Sequence, residues 1–391
     1  MNDKKFETRA VRIQAERSLH KEHSVPIFET SSFVFDSAEE AKAVFADEKK
    51  GYIYSRFNNP NTDEFVRKLC ALENAEYGVA ASSGMAAVFL LMGGILRAGD
   101  HVIVSKHLFG TTHLLVEQVL PKWGITHSYA NMNNLDEIES CLLPSTRMIY
   151  VETPSNPGLE VFDLAWIGKF SKKHDLFFAV DNCFATPYLQ NPVKYGADFV
   201  IHSATKFIDG QGRTIGGAIL GREKFMKEIV ALSRIAGTTM SATTGWILSK
   251  SLETLPVRMD RHCSNALSMA KYLENHKEVL WVKYPFLKSH QSFKLAKKQM
   301  RLGGAMVSFE LKGGQSRAMR FINNLKFFSI TSNLGDSRTS ITHPPTTTHS
   351  KLLPEERKEA GITNGMVRVS VGLEHIDDLC RDLENAIEKS G

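Results

Sequence analysis

Lys206 stands in the run HSATKFIDGQGRTIGGAI, with Ser203 and Thr205 just before it and a string of glycines after it. A lysine so placed is either an ordinary solvated side chain or a reactive amine held beside a bound anion. In the second case the two hydroxyls would hold the anion while the amine faces a carbonyl carbon. Asp181 closes the apolar run FFAVD. A carboxylate there is costly unless it meets a positive partner. A protonated ring nitrogen is one such partner; a plain cap on the next turn is the alternative. Ser83, Gly84 and Met85 open a helical stretch after VAAS. Free N–H groups and partial positive charge at a helix start suit a phosphate, although a simple cap needs the same residues. Tyr54 and Arg56 lie two apart in YIYSRFNNPNT. In an extended segment both would point the same way and could clamp a phosphate; a surface loop with a structural tyrosine is the alternative. Arg368, inside GMVRVSVG, would not stay unpaired in so apolar a strand. It could grip an amino-acid carboxylate, helped by the amide of Asn156 in ETPSNPGLE, or close an internal salt bridge.

Each signal is modest alone. Together they are what a pyridoxal phosphate enzyme requires: a phosphate site, a carboxylate for the ring nitrogen, an amine and a later arginine. The elements that must position them can be read coarsely. Between about residues 75 and 220, HVIVS, MIYVET, FFAVDN and FVIHSA read as short buried strands. Helical stretches such as Thr111–Lys122 and Asp163–His174 lie between them. That alternation predicts a mostly parallel sheet covered on both faces, with ligand groups beyond the carboxyl ends of the strands. After about residue 245 a long helical stretch is interrupted at Pro256. AMVSFEL and GMVRVSVG then alternate as half-buried strands, each followed by a helix. The expected organisation is an arm of little regular pattern over 1–50, a large α/β domain over 51–250 and a smaller α+β domain over 251–391.

The chain has 391 residues, 42% of them hydrophobic, and a formal net charge of +5 from 48 basic and 43 acidic residues. The charge is spread out, so nucleic acid is not an expected partner. No 18-residue apolar window and no apolar leader appear, so neither a membrane span nor a signal peptide is expected. Five scattered cysteines without a CxxC pair point to reduced thiols in a cytoplasmic protein, with no metal site and no disulfide framework. GQGRTIGG has the wrong glycine spacing, and the wrong place after Lys206, for a dinucleotide fingerprint. His343, His349 and the PPTTTH run could line an entrance or be plain surface.

The motifs YSRFNNPNT, SSGMAA, ETPSNP, VDNCFATP, HSATKFIDG, SNLGDSRTSITHP and VRVSVGLE resemble those of the cysteine and methionine metabolism family of pyridoxal phosphate enzymes, fold type I. The resemblance covers roughly residues 6–388. It implies that Lys206 holds the cofactor, that Asp181 pairs with its ring nitrogen, and that Ser83, Gly84, Met85, Ser203 and Thr205 bind its phosphate. It implies a homotetramer of two tight dimers, in which Tyr54 and Arg56 reach a neighbouring subunit's phosphate. Asn156 and Arg368 match the substrate-carboxylate site. Three departures stand out. Phe109 takes the place of a ring-covering tyrosine, so it can stack but cannot carry a proton. Thr111 stands where methionine γ-lyases carry a cysteine. Asn333 and Arg338 replace the serine and glutamate of SLGxxES, and Arg338 would tolerate an anionic acyl end. These changes point to the sulfhydrylase branch. The implied reaction is γ-replacement on O-succinyl- or O-acetylhomoserine by sulfide, giving homocysteine for methionine biosynthesis. A cysteine-using synthase and a γ-lyase are the alternatives.

Overall fold

A computed structural model describes residues 3–350, 353, 355, 357 and 361–391. The larger sheet has seven strands: β1 (Tyr77–Ala81), β2 (His101–Ser105), β3 (Thr126–Ala130), β4 (Thr146–Glu152), β5 (Phe177–Asp181), β6 (Phe199–Ser203) and β7 (Gly217–Gly221). Their spatial order is β1-β7-β6-β5-β4-β2-β3. The pairs from β6 to β3 are parallel, and β7 runs antiparallel to both β6 and β1. The alternation of side chains explains the two apolar layers. Val102, Val104, Tyr150, Ala179 and Ile201 pack one face, with residues of the helices Gly84–Ile95, Gly110–Gln118 and Glu223–Ala236. Ile103, Ile149, Val151, Phe178, Val180 and Val200 pack the other, with Leu164, Ile167 and Phe170 of the helix Leu164–Lys173. Strands buried on both faces need continuous apolar sequence, as HVIVS and FFAV provide.

The second sheet contains β8 (Val279–Lys283), β9 (Met306–Leu311), β10 (Ser329–Ile330), β11 (Ser340–Thr342) and β12 (Met366–Ser370), in the order β10-β11-β12-β9-β8. It is antiparallel except for the β10–β11 pair. Helices Leu255–Glu274, Gly314–Asn324 and Ile376–Ser390 supply the apolar residues that pack on it. The expected interruption near Pro256 falls at Thr254, which ends the helix Ala242–Glu253 and starts Leu255–Glu274. Proline sits in the first turn of the new helix, where its missing N–H has no partner to lose.

The segment before residue 51 is more regular than its sequence suggests. It holds helices Phe6–Arg12 and Ala38–Phe45, the second capped by Ser37, whose hydroxyl accepts from the Glu40 N–H. The run Tyr52–Thr62 is not one extended segment. Tyr54 bridges to Ser32, and the chain then turns, with the Phe57 N–H donating to the Tyr54 carbonyl. The five cysteines are free thiols. Among the described residues, no helix is long and apolar enough to cross a membrane.

Candidate active site

β4, β5 and β6 all end at the same edge of the sheet, and Glu152 of β4 lies in register with Asp181 of β5. The edge opens into a cavity of about 790 Å³. Lys206, Asp181, Ser83, Gly84, Met85, Ser203, Thr205, Phe109, Asn156, Asn333 and Arg368 all line it. Residues 285 positions apart in the chain, from Ser83 to Arg368, are thus brought to one hollow.

Asp181 accepts the Cys183 N–H at 3.0 Å and the Tyr150 hydroxyl at 3.4 Å. No cationic side chain forms an ion pair with it among the described residues. Burial pushes its carboxyl up to about 6, against the pull of the Cys183 N–H and the charge of His202. A carboxylate in that state lacks a cation. Lys206 lies in the turn just after β6, and its Nζ donates to Asn333 Oδ1 at 2.6 Å. Burial, aided by the charge of Arg368, lowers its amine below the usual lysine range. Arg368 is 2% exposed on β12. It donates to Asn156 Oδ1 at 2.7 Å and to the Ser332 carbonyl at 3.2 Å. No internal salt bridge neutralises it at contact distance among the described residues, so a charge-assisted grip on a carboxylate remains available.

The wall formed by Ser83, Gly84, Ser203 and Thr205 is built from close backbone approach. Ser83 caps the helix Gly84–Ile95, its hydroxyl accepting from the Ala86 N–H. The same serine also lines the cavity. A Cβ on Gly84 would sit 2.6 Å from the Ser203 Cβ, and one on Gly217 would sit 2.1 Å from the Ser83 carbonyl oxygen. The glycines after Lys206 therefore let β7 lie against the helix start. Thr205 is tied down by Gly216, accepting its N–H at 3.0 Å and donating to its carbonyl at 3.2 Å.

Phe109 stands at the N-cap of the helix Gly110–Gln118, and its N–H donates to Glu152 at 2.8 Å. Glu152, Tyr150 and Cys183 were not anticipated. Glu152 carries the same signal as Asp181, a carboxylate ending an apolar strand, and is 6% exposed. Burial, with the neighbouring Asp181 charge, pushes it well above the usual carboxylate range and so favours its neutral form. His343 and His349, which could have been plain surface, are both buried. His343 donates to or accepts from Thr346 and contacts the Asn364 carbonyl, while His349 lines the cavity.

Three of the expected site residues lie elsewhere. Arg338 is 67% exposed and pairs with Asp336 at 2.8 Å, outside the cavity lining. Tyr54 and Arg56 line a separate hollow with Gly237, Thr239 and Met240. There the Arg56 guanidinium lies 4.7 Å from the Phe57 ring centre and donates to the Arg234 carbonyl.

The residues present fit pyridoxal phosphate: an unpaired buried carboxylate, a glycine-made helix start and an amine of lowered pKa share one hollow. Comparison with known proteins agrees. The chain is 45% identical to an O-succinylhomoserine sulfhydrylase of Pseudomonas aeruginosa over 382 residues, 98% of this chain and 95% of that one. It is 42% identical to an L-methionine gamma-lyase of Fusobacterium nucleatum over 98% of both chains. A crystal structure from Campylobacter jejuni carrying N'-pyridoxyl-lysine-5'-monophosphate superposes with a TM-score of 0.95 at 32% identity, covering 98% of this chain and 100% of that one. The match of residues 7–388 to the Cys/Met metabolism PLP-dependent enzyme model completes the case, and the chain belongs to that family, with pyridoxal phosphate as its cofactor.

Proposed function

We propose that the chain catalyses γ-replacement on an acylated homoserine, O-succinyl or O-acetyl, with sulfide, releasing homocysteine and the free carboxylic acid. The observation that carries the reading is the meeting of Lys206, Asp181 and Arg368 in one cavity, in a chain 45% identical to an O-succinylhomoserine sulfhydrylase. Bound pyridoxal phosphate supplies a carbonyl carbon for the substrate amine and a ring that draws electrons from the α-carbon. Asp181 would hold the proton on the ring nitrogen. Ser83, Gly84, Met85, Ser203 and Thr205 would hold the phosphate. Arg368, with Asn156 and Asn333 beside it, would orient the substrate carboxylate. Lys206, the neutral form of its amine favoured by burial, would take the α-proton and hand it on, and Asn333 marks where the amine rests. Phe109 would cover the ring, its backbone fixed by Glu152.

The 42% identity to an L-methionine gamma-lyase favours one second reading, γ-elimination, in which the γ-substituent leaves without replacement and water releases 2-oxobutanoate and ammonia. One assay separates these readings and the cysteine-using synthase. O-succinyl- and O-acetylhomoserine are offered with sulfide, with cysteine or alone, methionine is offered alone, and products are identified by mass. Homocysteine formed only with sulfide is expected. 2-Oxobutanoate as the main product from every donor would replace this reading by the lyase.

We also propose the homotetramer of two tight dimers, with Tyr54 and Arg56 serving a neighbouring subunit's phosphate. Support comes from their place outside this chain's own cavity and from apolar side chains left bare nearby, Val34 at 97% and Ile235 at 82% exposure. The cradle gives a further expected result. Gly84→Ala would press on Ser203, and overpacking of about 1–3 kcal/mol corresponds to cofactor binding weakened on the order of 10- to 100-fold. Equilibrium dialysis of the cofactor against the apo-protein measures it; unaltered binding would mean that the helix start and Ser203 do not share the phosphate.

A further inference from the structure

We propose that His349 contacts the substrate, its Nε2–H donating to the amino-acid carboxylate that Arg368 grips. The residue follows β11 in a loop that leans back over the larger sheet. Its N–H donates to the Pro344 carbonyl at 3.0 Å. The adjoining Thr348 carbonyl sits 3.3 Å from where a Cβ on Gly110 would be, just past Phe109. The loop is thus held against the start of the helix Gly110–Gln118, and His349 lines the same cavity as Arg368, Asn156 and Lys206.

The imidazole is 3% exposed. Its Nδ1 lies 2.8 Å from the Thr348 hydroxyl. Its Nε2 is buried and makes no hydrogen bond among the described residues. The Asn156 backbone carbonyl is near enough to favour a proton on the ring, yet not placed to form a bond. Burial and the charge of Arg368 hold the ring neutral, with its pKa pushed down to about 4. A neutral imidazole has one N–H and one lone pair. The Thr348 hydroxyl can fill the lone pair of Nδ1, which leaves the hydrogen on Nε2. A buried donor without an acceptor is costly, and few native groups are left so. A carboxylate held by Arg368 supplies the missing acceptor. Because the ring stays neutral, it adds a directed hydrogen bond without setting a second cation beside the guanidinium.

The proposal rests on the function above only in taking an amino acid as substrate. The test uses the holoenzyme and two amines without a leaving group, L-norleucine and pentylamine, which differ by the carboxylate. Binding of each is read from the visible spectrum of the cofactor, so turnover is not needed. In His349→Phe, norleucine affinity is expected to fall by about 10- to 100-fold, the range for a hydrogen bond to a charged group, while pentylamine affinity stays within about twofold. His349→Gln, which restores an amide donor, should recover part of the loss. His349→Leu gives the same comparison where phenylalanine does not fit. An unchanged norleucine-to-pentylamine ratio in both apolar variants overturns the proposal while leaving the proposed function in place. A wild-type holoenzyme blind to norleucine overturns both.

Discussion

Lys206→Ala is expected to lose turnover by at least about 10³-fold, the combined scale of nucleophilic and general-base contributions. The purified variant should also lack the visible-edge absorbance that borohydride bleaches in the wild type. The argument runs from burial. The amine sits in the turn after β6, walled by Cys183 and Asn333, and its one side-chain polar contact among the described residues is an amide oxygen, not a carboxylate. Desolvation without an ion-pair partner favours the neutral amine. A neutral amine can attack a carbonyl carbon and can take a proton. The base-competent fraction rises with pH, and the lowered pKa moves that rise to lower pH than an ordinary lysine would give. Lys206→Arg keeps a cation but cannot deprotonate, so it should fail as well. Small exogenous amines should restore part of the turnover of Lys206→Ala and none of that of Lys206→Arg, whose side chain still fills the space. Undiminished turnover in Lys206→Ala would remove the lysine from the chemistry altogether.

What the sequence made legible follows from which interactions are local. β2, β5 and β6 could be read because strands buried on both faces must be continuously apolar. Asp181 and Lys206 could be singled out because each breaks or follows such a run. β7 escaped notice. Its sequence, GAILG, is glycine-flanked, and its reason for being so lies 134 residues upstream, in the Ser83 carbonyl against which Gly217 packs. Glu152 shared the signature of Asp181 but was passed over, because only the parallel register of β4 with β5 sets the two carboxylates side by side. Arg368 was legible as a cation needing company. That Asn156 is its company depends on a contact spanning 212 residues, which no local pattern carries. Arg338 shows the converse. Its place in the motif suggested an acyl-end contact, but Asp336, two residues before it, is near enough to take its guanidinium first.

Asp181→Asn isolates the electrostatic half of the site. The amide keeps the size of the side chain and can still accept from Tyr150 and Cys183, but it has no charge to offer a ring cation. Removing one partner of a buried charge pair costs about 2–5 kcal/mol, so turnover should fall on the order of 10²- to 10³-fold. The pH dependence distinguishes loss of charge from loss of shape. In the cofactor-free fold Asp181 titrates at about 6, above the ordinary carboxyl value of 3.8, because burial favours its neutral form. The folded chain therefore holds this proton more tightly than the unfolded chain does, and this group's contribution to stability falls as pH rises from about 4 through 6. A cation brought beside the carboxylate reverses that trend. Stabilisation of the wild type by pyridoxal phosphate should therefore be greater at pH 7 than at pH 5, as read by the shift in thermal midpoint at fixed cofactor concentration. Asp181→Asn should show a smaller shift at pH 7 and lose this group's share of the pH dependence. An equal shift in both proteins at pH 7, with equal turnover, would mean that the carboxylate ending β5 never meets a positive ring.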